Sequence, residues 1–159
     1  MQNENHRLIE YSDDSQYFGE VDETGAKSGP GEFYYSQTHQ FRGSTIKGTW
    51  LNDKLNGLCC YYWANGNKWF EGLFENGKKN GQGILYYHNE KIWYNGFWLD
   101  DKKHQTGEIF DRNGQCVYRG GWSKDQYNEF GTLYNGSGRV HYKGGWKDNK
   151  YHGKGIEYF

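Results

Sequence analysis

The sequence has little proline, methionine or cysteine, and it has no long hydrophobic run. Of 159 residues, one is Pro, one is Met and three are Cys. No stretch approaches the ~18 apolar residues of a transmembrane helix, and the polar segment 1–16 lacks the apolar core of a signal peptide. An odd number of cysteines, two of them adjacent, does not indicate a disulfide framework or a zinc site. We therefore expect a reducing compartment. The cysteines are Cys59, Cys60 and Cys116.

The chain also lacks an excess of charge of one sign. It has 19 Lys and Arg against 20 Asp and Glu, a net charge of -1. A nucleic-acid-binding protein is usually clearly basic, so we expect no nucleic-acid partner. What the sequence does contain is rings and glycine: 15 Tyr, 9 Phe, 7 Trp and 24 Gly. Mean hydropathy is low at -1.14, but disordered chains are poor in aromatic residues, and this composition predicts a folded protein.

The rings and glycines recur with a fixed period. The pattern aromatic-x-Gly-x-aromatic is centred on an anchor glycine, with weaker copies around Gly19 and Gly48 that each have one aromatic residue. After a first step of 29 residues the anchors follow at four equal steps of 24. A Gly-x-Gly pair follows nine and eleven residues past the anchor in the most regular units, and a ring follows at fourteen. Such self-similarity indicates a repeat array. The anchors are Gly19, Gly48, Gly72, Gly96, Gly120 and Gly144.

Each unit predicts a β-hairpin. Both halves alternate with period two, Asn, Asp, Gly and Lys separate them, and nothing has helical period. Residues two before the anchor, at the anchor and two after it share one face, so the glycine leaves a slot over bare backbone. We expect a ring from the adjacent repeat to fill it. Side chains replace glycine in the Gly-x-Gly pair at Cys59, Gln105 and Glu129, and we expect the curvature of the sheet to change there.

Aromatic-x-Gly-x-Trp followed by Gly-x-Gly-x-x-Tyr, with a period near 24, resembles the MORN repeat over residues 17–159. The resemblance implies an all-β fold, an elongated single-layer twisted antiparallel sheet of about six stacked β-hairpins. Gly48, Gly72, Gly96, Gly120 and Gly144 are its structural glycines. We expect a segment 1–16 that caps the array or is disordered. The repeats are expected at 17–45, 46–69, 70–93, 94–117, 118–141 and 142–159.

Catalytic signals are weak in this sequence. The Gly-x-Gly pairs precede no helix and no Gly-Lys-Ser/Thr, so they do not predict a phosphate loop. Asp100 and Asp101 lie in a turn, where Asp is ordinary. We expect no enzyme, no metal and no cofactor. The resemblance implies a protein-interaction scaffold in a multi-subunit assembly, since similar proteins occur in ciliary axonemes, such as radial-spoke heads, and in other cytoskeletal structures. We accordingly expect a cytoplasmic location associated with the cytoskeleton or a cilium.

The first candidate binding surface is the face of the first strands that carries positions -1, +1 and +3. A contiguous exposed apolar patch marks an interaction site. Separately, the ring columns at positions -2 and +14 are candidates for a concave groove that grips a peptide or helix, since Tyr is a favoured interface anchor. Two alternatives remain. One is that the apolar residues are covered, by second-strand residues such as Leu85 and Ile109 or by the N-terminal segment, and the other is that the rings serve the fold. The candidate protein-binding residues are Leu51, Leu73, Phe97, Leu99, Tyr86, Tyr94, Tyr118 and Tyr134.

The second candidate surface is a lysine-lined sheet edge, which would make the chain a peripheral adaptor for anionic phospholipid. Phosphoinositide binding is also implied by the family resemblance. The alternative is a row of solvated turn lysines interspersed with aspartates. The lysines are Lys54, Lys78, Lys79, Lys102, Lys103 and Lys150. A third candidate is the last strand, Gly153 to Phe159, which as an open edge would pair with a second copy.

Overall fold

The computed structural model describes residues 5–159, and in that part of the chain all regular structure is β. The chain comprises two compact units, the first ending at Lys78 and the second running from Lys79 to Phe159. Thirteen strands are present: β1 (His6–Glu10), β2 (Gln16–Val21), β3 (Lys27–Tyr34), β4 (Thr45–Leu51), β5 (Lys54–Tyr62), β6 (Lys68–Glu75), β7 (Lys78–Tyr86), β8 (Ile92–Leu99), β9 (Lys102–Phe110), β10 (Cys116–Ser123), β11 (Gln126–Tyr134), β12 (Val140–Lys147) and β13 (Lys150–Glu157).

In each unit the strands follow one another in the sheet in sequence order, and every neighbouring pair is antiparallel. Strands β1 to β6 are ordered this way in the first unit and β7 to β13 in the second. The tight turns use left-handed backbone at Asn, Asp and Gly, which suits a two-residue hairpin connection. The predicted all-β array of antiparallel hairpins is confirmed.

The described part of the polar N-terminal segment contributes a strand. Strand β1 pairs with β2 and places Arg7 opposite the first anchor, Gly19. This is the place that the second strand of a repeat takes against the next anchor, as Gly31 does against Gly48. Residues 1–4 lie outside the described residues, and the division of the chain at residue 16 stays a prediction.

Each hairpin has a packed face and an open face. The packed face carries positions -2, 0 and +2 of the first strand, and the open face carries -1, +1 and +3. On β8, for example, Tyr94 is fully buried and Trp98 is buried, whereas Leu99 is exposed. The same positions are buried in other repeats, so the core of each unit consists of rings on one face. Its aromatic members include Tyr17, Trp50, Phe70, Phe74, Tyr94, Trp98, Tyr118, Trp122, Tyr142 and Trp146.

The tyrosine at -2 lies over the glycines of its own hairpin. Tyr94 donates a hydrogen bond through Oη to the carbonyl oxygen of Phe97 at 2.9 Å, which draws the ring across Gly96 and Gly107. A Cβ at Gly107 would stand 2.3 Å from that Oη. Our expectation that the adjacent repeat supplies this ring is wrong, because the hydroxyl reaches a carbonyl only three residues along its own strand. Tyr17, Tyr118 and Tyr142 do the same.

The adjacent repeat instead contributes its tryptophan. Trp122 meets the Tyr94 ring edge-on, with centroids 5.4 Å apart, and its Nε1 donates to the carbonyl oxygen of Gly107 at 3.1 Å. Aromatic pairs in this geometry contribute about 1 kcal/mol beyond their buried area. Trp146 repeats both contacts one unit further on, with Tyr118 and Gly131.

One repeat replaces both the ring and the glycine beneath it. Ile46 stands at the tyrosine position, and Cys59 stands opposite Gly48 where other repeats have glycine. A Cβ at Gly48 would lie 2.6 Å from the Cys59 Sγ, so the thiol fills part of the volume that a tyrosine ring fills elsewhere. Cys59 is only 1% exposed.

The other two replaced glycines keep the glycine backbone. Gln105 and Glu129 have φ values of 54° and 61°, in the left-handed region that Gly81 also occupies at 105°. Left-handed backbone costs a non-glycine residue about 1 kcal/mol. These repeats therefore retain the turn of the chain and accept a local energetic cost.

We expect Gly107→Ala to destabilise the fold by about 3 kcal/mol, because its Cβ would overlap the Tyr94 hydroxyl and ring. Gly136→Ala is the matched control, since a Cβ there has no atom within 4 Å. Urea unfolding of both variants measures the difference. Equal stability of the two would contradict the packing described here.

Alkaline pH should unfold the protein by ionising the buried tyrosines. Burial, aided by the charge of Glu20, raises the pKa of Tyr17 from 10.0 to about 12, and burial raises the pKa of Tyr94 and Tyr118 as well. Because the folded pKa exceeds the unfolded one, stability present below pH 10 is lost as pH rises towards 12. Ultraviolet absorbance should show exposed tyrosines ionising first and the buried ones only with loss of circular dichroism. Ionisation of all 15 tyrosines in one step near pH 10, with the fold intact, would refute this.

Candidate functional site: the open face and the lysine edge

A clamp joins consecutive repeats and decides which lysines reach solvent. The residue seven past each anchor (one later in the first repeat) meets the residue five past the next anchor. The Lys103 amide donates to Asp125 Oδ1 at 2.9 Å, and the Asp125 amide donates back to the Lys103 carbonyl oxygen at 3.1 Å. The Lys27 amide makes the same bond to Asp53, and the Lys79 amide makes it to Asp101.

The clamp lysines fold back onto the packed face. Lys103 Nζ lies 5.6 Å from the Tyr94 ring centroid and 5.5 Å from that of Trp122, and it forms an ion pair with Asp125 at 3.7 Å. Its side chain is only 17% exposed. Lys79 lies over Trp98 in the same way, and burial lowers the pKa of its ammonium group against the opposing pull of Asp101.

This placement divides the predicted lysine edge. Lys79 and Lys103 are not part of an exposed ridge, because their charges are satisfied beside the rings. Lys54, Lys78, Lys102 and Lys150 lie at the starts of second strands and are exposed. The structure therefore keeps four of the six predicted lysines on the surface.

The clamp is matched pair by pair along the chain. Where the earlier residue is Lys, the later one is Asp. Where the earlier residue is Tyr127, the later one is Asn149, which accepts the Tyr127 amide at 2.7 Å without a charge. Where it is Leu55, the later residue is Gly77, whose amide donates to the Leu55 carbonyl oxygen. A charged partner thus occurs only where a lysine needs one.

The open face exposes the apolar residues predicted for it. Leu51, Leu73 and Leu99 are 50%, 43% and 44% exposed, and Phe97 is half-buried. For Phe97 and Leu99 the alternative of packing on Leu85 and Ile109 is excluded, because both of those residues pair with Tyr94 and share the packed face.

The four tyrosines predicted to bind a protein partner differ in how far they are buried. Tyr94 and Tyr118 have no exposed surface, so they serve the fold and are not available to a partner, which corrects their place among the binding candidates. Tyr86 and Tyr134 are half-buried at the ends of β7 and β11. Their role in binding stays a prediction.

Sequence reasoning missed the open-face residues of the second strands. Leu58 lies directly opposite Leu73 and is 63% exposed, and Phe130 and Ile156 are each 60% exposed. The signal was present, because positions ten and twelve past the anchor alternate with the buried glycine of the Gly-x-Gly pair. The open face is therefore apolar on both strands of a hairpin.

In the second unit the open face also contains a shallow groove of about 370 Å³. The backbone of Gly96, Gly107 and Gly120 lines it. Its polar lining residues are Gln82, Asn95, Thr106, Glu108 and Arg119, the last two forming an ion pair.

Within residues 5–159 no cluster of His, Cys, Asp and Glu has the arrangement of a metal site. The three cysteines are free thiols, and burial raises the pKa of both Cys59 and Cys116, which disfavours the reactive thiolate. That same part of the chain holds no helix that could cross a bilayer. The open face and the turns are what this structure presents to a ligand.

The chain belongs to the MORN-repeat family. The family model, described as MORN repeat, matches residues 47–68, 70–90, 118–138 and 142–159, just over half of the chain. The repeat at 94–117 falls outside these matches, yet it has the same Tyr, Gly and Trp geometry. No curated protein sequence matches the chain. MORN repeats form a non-enzymatic family that is generally associated with protein or membrane-lipid interactions.

We expect Asp125→Ala to destabilise the protein by about 2 kcal/mol, because it removes the acceptor for the Lys103 amide and strains a residue at φ 70°. Asp125→Asn should cost about 1 kcal/mol, because the asparagine still accepts the amide hydrogen bond, as Asn149 does in the next clamp, but loses the ion pair with Lys103. Thermal unfolding of the two variants compares them. Equal losses would show that the clamp hydrogen bond contributes nothing.

Proposed function

We propose that this chain is a non-catalytic protein-interaction scaffold, a structural subunit of a larger cytoskeletal or ciliary assembly such as an axonemal, radial-spoke-like complex. The observation that carries the proposal is the open face, where exposed leucine and phenylalanine side chains lie on paired strands. A single sheet normally buries one face and solvates the other with polar residues. Large apolar side chains on the second face are typical of a surface that a partner covers.

The division of labour between the faces supports this assignment. Rings and glycines stabilise the packed face and leave the open face free to vary from repeat to repeat. Unit by unit, positions -1, +1 and +3 change from Lys47, Thr49 and Leu51 to Arg119, Gly121 and Ser123. A scaffold needs a constant frame with a variable surface, and this arrangement supplies both.

Replacing Phe97 and Leu99 by Ser should abolish capture of the partner from the native cell lysate, because it removes the apolar side chains of β8 from the open face. Phe41→Ser is the control, since it removes an exposed ring that contacts Trp69. Tagged wild type should bring down a stoichiometric set of cytoskeletal proteins, identified by mass spectrometry. Undiminished capture by the double variant would reject this patch as the binding site.

The alternative remains a peripheral membrane adaptor that binds anionic phospholipid. Lys54, Lys78, Lys102 and Lys150 are exposed and support it. The burial of Lys79 and Lys103 weighs against it. Sedimentation with vesicles at low salt, with and without phosphoinositide, discriminates the two functions. Absence of vesicle binding would eliminate the adaptor.

A homo-oligomer through the last strand also stays a prediction. Every residue of β13 is exposed, although β13 pairs with β12 along its length. A Pro substitution at Glu157, whose N–H points away from β12, would block ladder hydrogen bonds at the open edge of that strand, and loss of a dimer in light scattering would support the prediction.

A further inference from the structure

The two units carry opposite charge. The sequence up to Lys78 has eleven acidic and seven basic residues, whereas the sequence from Lys79 has nine acidic and twelve basic residues. The near-neutral total therefore hides an acidic half and a basic half. Such an asymmetry gives each unit its own electrostatic preference for partners.

In the first unit the acidic residues accompany apolar side chains on the open face. Glu32 and Glu71 lie on one cross-strand row with Lys47 between them, and Lys47 and Lys68 form ion pairs with these two carboxylates. Glu10 and Glu20 follow on β1 and β2. The apolar members of this face are Leu8, Phe18, Leu51, Leu58 and Leu73, all at least 43% exposed.

In the second unit the open face is basic. Lys143 and Lys147 alternate along β12, Lys154 lies on β13, and all three are exposed. Among the residues that the structure describes, none of these lysines has an acidic partner. The most exposed apolar members here are Phe130 and Ile156, with Phe97 and Leu99 on the same face, and Ile156 lies directly opposite Lys143.

We propose that the open face of the first unit in one copy of this chain packs against the open face of the second unit in another copy. The argument is charge complementarity between two apolar surfaces on one chain. Sheets pack face to face at about 10 Å through interdigitated apolar side chains, and opposite charges around the patches fix the partner and the register. The proposal rests on the function proposed above, because it names a second copy as the protein that covers the open face.

The test uses charge reversal on the full chain. The Lys143→Glu, Lys154→Glu variant makes both open faces acidic, and the Glu10→Lys, Glu32→Lys variant makes both basic. Sedimentation equilibrium should show self-association of wild type that weakens with salt. Each variant alone should associate at least about tenfold more weakly, since like charges then face each other. A mixture of the two variants should associate again.

The matched control is Arg112→Glu, Arg139→Glu, which makes the same change in charge at the turns after β9 and β11 and should leave association unchanged. Circular dichroism checks that each variant folds. If Lys143→Glu, Lys154→Glu does not fold, Lys143→Gln, Lys154→Gln takes its place, and its self-association should also be weaker than that of wild type.

Three results would overturn the proposal. They are a monomeric wild type at low salt, a mixture that fails to associate, and a wild type that binds phosphatidylserine vesicles through these lysines without self-association. If a monomeric wild type captured cytoskeletal proteins, the proposed scaffold function would stand, but the proposal that a second copy covers the open face would be rejected.

Discussion

The structure depends on a tyrosine ring that lies flat over two glycines. The hydroxyl finds a carbonyl acceptor three residues on, the ring covers backbone that has no side chain, and the next repeat closes the site with a tryptophan edge. The ring and the glycine pair depend on each other, because a ring over a residue with a Cβ would clash and a glycine pair without a ring would leave a void. In the repeats that contain all three groups, the tyrosine, the glycine pair and the neighbouring tryptophan are therefore needed together.

Building the core on one face leaves the other face without a role in folding. Rings and glycines occupy most positions of the packed face, and the lysines that approach it are neutralised by the clamp aspartates. The open face differs from repeat to repeat in charge and in apolar content. Stability thus comes from one side of the layer, and the recognition proposed above uses the other side, so that a change in that surface leaves the core intact.

The strands and anchors could be predicted from the sequence because both follow from period and spacing. The direction in which each side chain leans could not be predicted from the sequence, because it depends on individual contacts. Spacing placed Tyr94 on the same face as Gly96, but it did not say whether the ring leans over its own repeat or the neighbour's, a choice made by one hydroxyl hydrogen bond. Lys103 looked like a surface lysine because its contacts, Trp122 and Asp125, come from the next repeat. The exposure of Phe130 could not be predicted from the glycine pattern alone, because that pattern defines the packed face and Phe130 lies on the opposite one.

The clamp also constrains how an array of this kind gains or loses repeats. Removing residues 94–117 would bring Lys79 next to Asp125, a lysine beside an aspartate as before. Removing residues 118–141 would instead bring Lys103 next to Asn149 and leave a half-buried ammonium group without a carboxylate. Loss of a repeat is therefore tolerated where the new clamp pairs a lysine with an aspartate, and it is unfavourable where the lysine meets an asparagine. The repeats are alike in fold, but their order in the chain is not interchangeable.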